Sequence, residues 1–289
     1  MQLLEKHIVE KLENKVRFQE YGVGIFNTIP TKSAIKKAIK KKLIFIDGVL
    51  ATTAIYISGG EVIELFESEN SSNFERLKLN LEVVFEDDYL AIICKPAGIL
   101  VSGNKFVTIA NGLTQNLKKS THSNAVKPQP VHRLDYPTSG LLLVGKTNTA
   151  ITELSKLFEN KEIKKTYFAV TIGEMSSKGT IDSAIDEKNA LTEFEKIASV
   201  TSERFGFLNL VKLQPKTGRK HQIRKHLLTI GNPILGDKEY FLEHKILNGK
   251  GLFLHAGNLE FTHPFTKASI SISKELPKKF TKIFPEFKL

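Results

Sequence analysis

Four consecutive large apolar residues, Leu141 to Val144, constrain the fold of this chain more than any other feature. Side chains alternate faces along a strand, so a run with no polar interruption reads as a strand buried on both faces. The residues just before it, "DYPTS" from Asp135 to Ser139, are turn chemistry, and Gly140 leads into the run. Gly140 to Thr147 also fits G-x-x-x-x-G-K-[ST], the pattern of a phosphate-binding loop. That loop needs a strand before its first glycine and bare backbone after it, and here the order is inverted. Four bulky side chains would keep phosphate away. The available partner aspartate, Asp47, ends "LIFID" in a distant segment and leads into a turn. A nucleotide-hydrolysing role, with its nucleotide cofactor, is therefore set aside.

Asp135 then becomes the residue of interest. It stands in a loop between Val131 and the buried strand, with Pro137 and Gly140 fixing the chain, so a reactive carboxylate would be held rigidly. A plain structural alternative is an Asx turn, with Thr138 or Ser139 capping the loop. Net charge narrows the chemistry. The 289 residues carry a formal charge of +11, which favours an anionic partner, nucleic acid first and an anionic membrane second. No apolar run approaches the ~20 residues of a membrane span, and the first residues lack the apolar core of a signal peptide. Cys94 is the only cysteine, which excludes an intrachain disulfide and any multi-cysteine metal site, and suits a reducing, cytoplasmic setting.

Most of the excess charge follows residue 68, yet the N-terminal part is distinctive in its pattern. Thr31 to Gly48 spaces Ala34, Ile35, Ala38 and Ile39 as one helical face, with Lys36, Lys37, Lys40, Lys41 and Lys42 around it. A strand follows at Leu43 to Ile46, then a turn at Asp47-Gly48, then two short strands around Gly59-Gly60. The polar stretch 68–79 reads as a linker, giving domains at 1–67 (core about 20–67) and 80–289. The second is α+β with mostly antiparallel strands. "LEVVFEDDYLAIICKPAGILV" predicts two strands and a turn at Lys95 to Gly98. In "KKTYFAVTIG", Phe168, Val170 and Ile172 share one strand face and Tyr167 the other, where an aromatic is either core or a platform for a base. After the strand Phe205 to Leu213, a helix from about Lys220 to Ile230 carries an apolar seam of Ile223, Leu227 and Ile230. Arg224 at the edge of that seam is half-buried and needs an anion. Arg219, Lys220 and Lys225 read as phosphate contacts near the helix start.

Five of these stretches, "KPAGILV", "HRLDYPTSGLLL", "KKTYFAVTIGE", "TGRKHQIRKHLLTIGNPILGDKEY" and "LFLHAGNLEF", occur in the order found in the RluA family of pseudouridine synthases, and the chain resembles that family from about residue 83 to 264. The preceding segment, about 20–67, resembles the S4 RNA-binding domain. The resemblance implies a pseudouridine synthase fold with a mixed, mainly antiparallel central sheet, and an enzyme that isomerises uridine in structured RNA. Asp135 would be the essential aspartate, Tyr167 the tyrosine on the target base, Arg224 the arginine paired with the aspartate, and Arg133 the residue that helps hold the flipped-out site open. Lys36, Lys37, Lys40 and Lys41 would meet RNA phosphates. Large-subunit ribosomal RNA is the expected partner, transfer RNA the alternative, and the expected state is a monomer. The rearrangement involves no redox step, so neither cofactor nor metal is expected. Lys220 and Cys94 depart from the commoner family pattern at positions outside the proposed chemistry. Two other roles compete: a non-catalytic RNA-binding or assembly factor, and a glycosidase, for which no second acid stands out.

Overall fold

The computed structural model describes residues 2–67 and 77–287. The chain divides into two compact units, Met1–Arg76 and Leu77–Leu289. Of the expected linker, residues 68–76 lie outside the described residues. Leu79 already belongs to the second unit, its carbonyl accepting from the side-chain amides of Gln115 and Asn116.

The first unit runs β1 (Leu3–Ile8), β2 (Val16–Arg17), α1 (Phe18–Tyr21), α2 (Lys32–Lys40), β3 (Ile44–Ile46), β4 (Val49–Leu50), β5 (Tyr56–Ile57) and β6 (Val62–Phe66). Its antiparallel sheet has the order β1-β6-β3-β4, with β2 and β5 paired apart from it. Asp47 and Gly48 join β3 to β4 with φ of 50° and 76°, the two positive values required by a two-residue hairpin of matching twist. Thr31 Oγ1 caps α2 by accepting from Ala34 N. Ile35, Ala38 and Ile39 are buried beneath the helix against Phe18, Ile44 and Ile63, which leaves Lys36, Lys37, Lys40 and Lys41 exposed on its outer side.

The second unit runs β7 (Glu82–Glu86), β8 (Leu90–Lys95), α3 (Ile109–Asn116), β9 (Ala125–Pro130), β10 (Ser139–Thr147), α4 (Asn148–Glu159), β11 (Lys164–Ile172), β12 (Lys178–Asp182), β13 (Leu191–Ser202), β14 (Gly206–Pro215), α5 (Gln222–Thr229), β15 (Leu254–Thr262), β16 (Ser269–Ser273) and α6 (Lys278–Thr281). Ten strands form one sheet in the order β12-β13-β14-β11-β15-β10-β8-β7, with β16 added beside β15 and β9 beside β10. All of these pairs are antiparallel except β10 with β15. The architecture is thus α+β around a mixed, mainly antiparallel sheet. No helix among the described residues is long and apolar enough to cross a membrane.

The apolar run does lie in the centre of this sheet, within β10. Leu142 and Val144 pack on one side with Ile109 and Leu113 of α3, and Leu141 and Leu143 on the other with Leu154 of α4; all four are fully buried. The glycine-lysine-threonine pattern is the body of this strand, and Lys146 is buried with its ammonium 2.7 Å from Glu86 Oε1. Phosphate therefore has no loop to enter.

β10 and β15 are joined by two residue pairs alone, Ser139 with His255 and Gly140 with Ala256. Beyond them each strand takes another neighbour, β9 or β16. Gly140 permits the junction: its φ is 118°, and a Cβ there would sit 2.2 Å from the Ala256 carbonyl oxygen. A further core gathers β11, β14 and α5 with Leu276, Phe280 and Phe284 of the C-terminal segment. The seam expected on α5 is shorter than its spacing implied. Ile223 and Leu227 are buried, but the helix stops at Thr229, and Ile230 is 39% exposed beside Gly231, whose φ of 79° turns the chain away.

Candidate active site

Asp135 stands in the loop between β9 and β10, and that loop is fixed from several sides. Gly98 N donates to Tyr136 O at 2.8 Å, and Thr138 N to Asp135 O at 3.1 Å. The Lys95 ammonium, fully buried, donates to the carbonyls of Thr138 (2.8 Å) and Pro96 (2.9 Å), with Tyr136 O at 3.4 Å. Burial pulls its pKa down to about 8, and the charge of Asp135 works in the opposite direction. Ser139 Oγ meets His255 Nδ1 at 2.9 Å, and His132 Nε2 accepts from Leu143 N at 3.0 Å. Lys95 in the sequence looked like part of a turn, yet it is the ion that holds the Asp135 loop.

A cleft of about 1100 Å³ opens at this loop. Asp135, Tyr167 and Arg224 all line it, contributed by the β9–β10 loop, β11 and α5. Tyr167 sits where the register of β11 against β15 shifts between Thr166 and Tyr167, an irregularity that re-aims a side chain at a sheet's interior edge. Burial, then the nearby Asp135 charge, pushes its phenol well above the ordinary range. It is a proton donor and an aromatic surface rather than a phenolate.

One expectation for Arg224 needs correction: it is not half-buried but 4% exposed. It is within ion-pair distance of Asp135, as expected, but its shorter contacts go to other carboxylates. Nε and Nη2 donate to the two oxygens of Asp237, both at 2.7 Å, Nη2 also reaches Glu239 at 3.1 Å, and the Tyr240 ring lies 4.7 Å away. Nη1 approaches Asp135 Oδ2 at 3.9 Å. Burial opposes the charge of Arg224, but bonding to Asp237 and the three surrounding carboxylates outweigh it and raise its pKa. The helix spacing showed that Arg224 needs an anion, but it could not show that the anion is a residue of "GDKEY", thirteen positions on.

The other residues of "TGRKHQIRKH" divide by role. Gln222 is buried and bonds Leu191 O, Thr192 Oγ1, Thr217 Oγ1 and Arg219 N, which locks the β14–α5 turn. His226 is anchored on Thr192 and the Ser183 carbonyl. His221 takes φ of 55° just before α5 and faces Asp135, its Nε2 3.8 Å from Oδ1. Arg133 is exposed and lines the cleft, as do Arg219 and Lys220. Lys225 does not line it: its ammonium pairs with Asp186 at 2.8 Å. Lys164, Lys165 and Lys216 extend the basic lining beyond the residues expected from sequence.

Comparison with known proteins identifies the family. Residues 89–229 match the RNA pseudouridylate synthase family. Ribosomal large subunit pseudouridine synthase D of Nitrosomonas europaea is 31% identical, over 86% of this chain and 77% of its own. The tRNA pseudouridine synthase C of Vibrio vulnificus is also 31% identical, over 72% of this chain and 95% of its own. The solved structure of human RNA Pseudouridylate Synthase Domain Containing 4 superimposes with a TM-score of 0.56 at 25% identity, covering 69% of this chain and 90% of that one. With relatives matched across most of their length and the fold in common, the chain belongs to the RluA family and is an RNA pseudouridine synthase.

Proposed function

We propose that the enzyme modifies uridines of large-subunit ribosomal RNA, that Asp135 is the group that reacts at the target ribose, and that Tyr167 and Arg224 complete the site. The observation that carries the catalytic part is the convergence of these three residues, from separate elements, on one cleft with basic walls. Pseudouridine forms when the uracil N1–C1′ bond breaks, the base turns, C5 bonds to C1′, and the C5 proton is replaced by one at N1. An ionised carboxylate serves either by attacking C1′ or by removing a ribose proton. The raised phenol pKa favours Tyr167 as a stacking surface for the freed uracil over a role as proton acceptor. A uridine in a stem must first be flipped out, at a cost of a few kcal/mol that cleft contacts offset. Arg133 and the lysines that line the cleft supply such contacts.

The substrate assignment rests on the first unit. The match to the ribosomal synthase of N. europaea is longer than the whole second unit, so it extends into the first. The match to the V. vulnificus transfer-RNA synthase is short enough for the second unit alone to contain it, though it covers nearly all of that protein. An S4-like role for the first unit, with Lys36, Lys37, Lys40 and Lys41 of α2 on RNA phosphates, is consistent with that difference. The test is to incubate the native protein and Asp135→Asn with unmodified ribosomal and transfer RNA, then map carbodiimide-dependent reverse-transcription stops. New stops in large-subunit RNA with the native protein alone are expected. Stops confined to transfer RNA would overturn the substrate, and stops made by Asp135→Asn would overturn the role of Asp135.

A further inference from the structure

The carboxylate of Asp135 is under-compensated by the arginine beside it. Three carboxylates, from Asp135, Asp237 and Glu239, surround the single guanidinium of Arg224, and Asp237 and Glu239 take its short hydrogen bonds. Lys95, another cation near Asp135, is committed to backbone carbonyls. Lys225 on the same helix is paired with Asp186. His221 also faces Asp135. The imidazole of His221, with 15% of its side chain exposed, lies between Asp135 and the Glu239-Tyr240 segment. Nε2 is 3.8 Å from Asp135 Oδ1, while Nδ1 is 3.0 Å from Tyr240 Oη and 3.4 Å from Glu239 Oε1.

We infer that His221 is a positioning residue for Asp135, holding the Oδ1 side of the carboxylate as Arg224 faces the Oδ2 side, and itself held by Tyr240 and Glu239. This rests on Asp135 being the reacting group. With Tyr240 Oη donating to Nδ1, the neutral imidazole keeps its proton on Nε2, the edge toward Asp135. When protonated, it presents N–H to Asp135 and to Glu239 together and offsets the excess negative charge. The cationic form, and the neutral tautomer in which Tyr240 donates to Nδ1, each place a donor on that side of the carboxylate.

The backbone supports the same reading. His221 precedes α5 with φ of 55°, a left-handed conformation that is costly for a residue with a large side chain, and it makes no capping hydrogen bond. Asn or Gly would occupy the position with less strain. The strain is tolerated where it brings an imidazole into the cleft, in contrast to His226 one turn on, which is consumed by structural contacts to Thr192 and Ser183.

The test compares the full-length native protein with Asp135→Asn, His221→Asn, His221→Gln and Tyr240→Phe, reading the single-turnover rate, the RNA Kd and the Tm. Asn relaxes the backbone and keeps a polar atom toward Tyr240, but withdraws from Asp135; Gln reaches nearly as far as Nε2. Expected are a rate at least ~10-fold lower for His221→Asn with Kd within ~2-fold and Tm unchanged or higher, and partial recovery in His221→Gln despite its strain. Tyr240→Phe, which keeps its ring against Arg224, should lose a smaller factor with unchanged Kd. A native rate in His221→Asn overturns the inference, and so does a loss that follows Kd or Tm with Gln no better than Asn. Activity in Asp135→Asn is a separate failure, since it removes the reading on which the inference stands.

Discussion

Replacing Asp237 with Asn tests the internal support of the site most directly. Oδ1 of Asp237 accepts three N–H groups, from Arg224 Nη2, Glu239 and Tyr240, and Oδ2 accepts Arg224 Nε. Asn has one oxygen. If it stays on the Oδ1 side, its amide points an N–H at the Nε–H of Arg224; if it flips, the amide faces three donors. Neither orientation satisfies the pocket, and the guanidinium, 4% exposed, loses its buried counter-charge. Breaking one side of such a pair costs about 3–5 kcal/mol. For a domain of this size each kcal/mol moves Tm by roughly 2–4 °C, so a fall of roughly 6–20 °C is expected by calorimetry. A double-mutant cycle with Arg224→Met isolates the interaction: Asp237→Asn in that background should cost at least ~2 kcal/mol less than in the native protein. A Tm within ~2 °C of native for Asp237→Asn alone, or additive effects in the cycle, would refute the assignment of Asp237 as the chief partner of Arg224.

Gly140→Ala should destabilise the second unit severely or prevent its folding, because its Cβ would overlap the Ala256 carbonyl at a φ suited to glycine; a soluble variant with native Tm would contradict the close β10–β15 approach. Acid should unfold the protein early. Burial, reinforced by nearby lysines, lowers His132 to about 3 and His255 to about 4, so between those values and ~6.5 the unfolded chain binds protons that the folded one refuses. Stability therefore falls as pH falls through that window, by about 2 kcal/mol for His255 at pH 5. Urea midpoints at pH 7.5 and 5 measure this, and an unchanged pH slope in His255→Gln would remove His255 as its source. Replacing Lys36, Lys37, Lys40 and Lys41 by Ala should weaken RNA binding and flatten its dependence on log salt by ~0.7–0.9 per lost phosphate contact. An unaltered slope would exclude α2 from the RNA interface.

What could be read in advance was local. Leu141 to Val144 demanded a strand covered on both faces whatever covered it, and the basic helix followed from spacing alone. Arg224 declared a need for an anion because its charge is permanent and its neighbours Ile223 and Leu227 are apolar. The identity of that anion depends on where the 230s loop folds back, which no periodicity records. Lys95 was hidden for a similar reason: its partners are backbone carbonyls, which every residue possesses. His221 was hidden because its left-handed backbone leaves no mark on residue type. Ile230 misled because a three-residue seam assumes that the helix continues, and Gly231 ends it.

The two-residue junction between β10 and β15 also bears on how the enzyme comes to exist. Ser139 and His255 are 116 positions apart, so their pairing closes a very long loop and is expected late in folding. Lys95 and Asp135 lie on one side of that junction, and Tyr167 on the strand beyond it. A chain that has built either half alone has basic surface but no assembled reaction centre. Turnover therefore reports completed folding of the whole second unit.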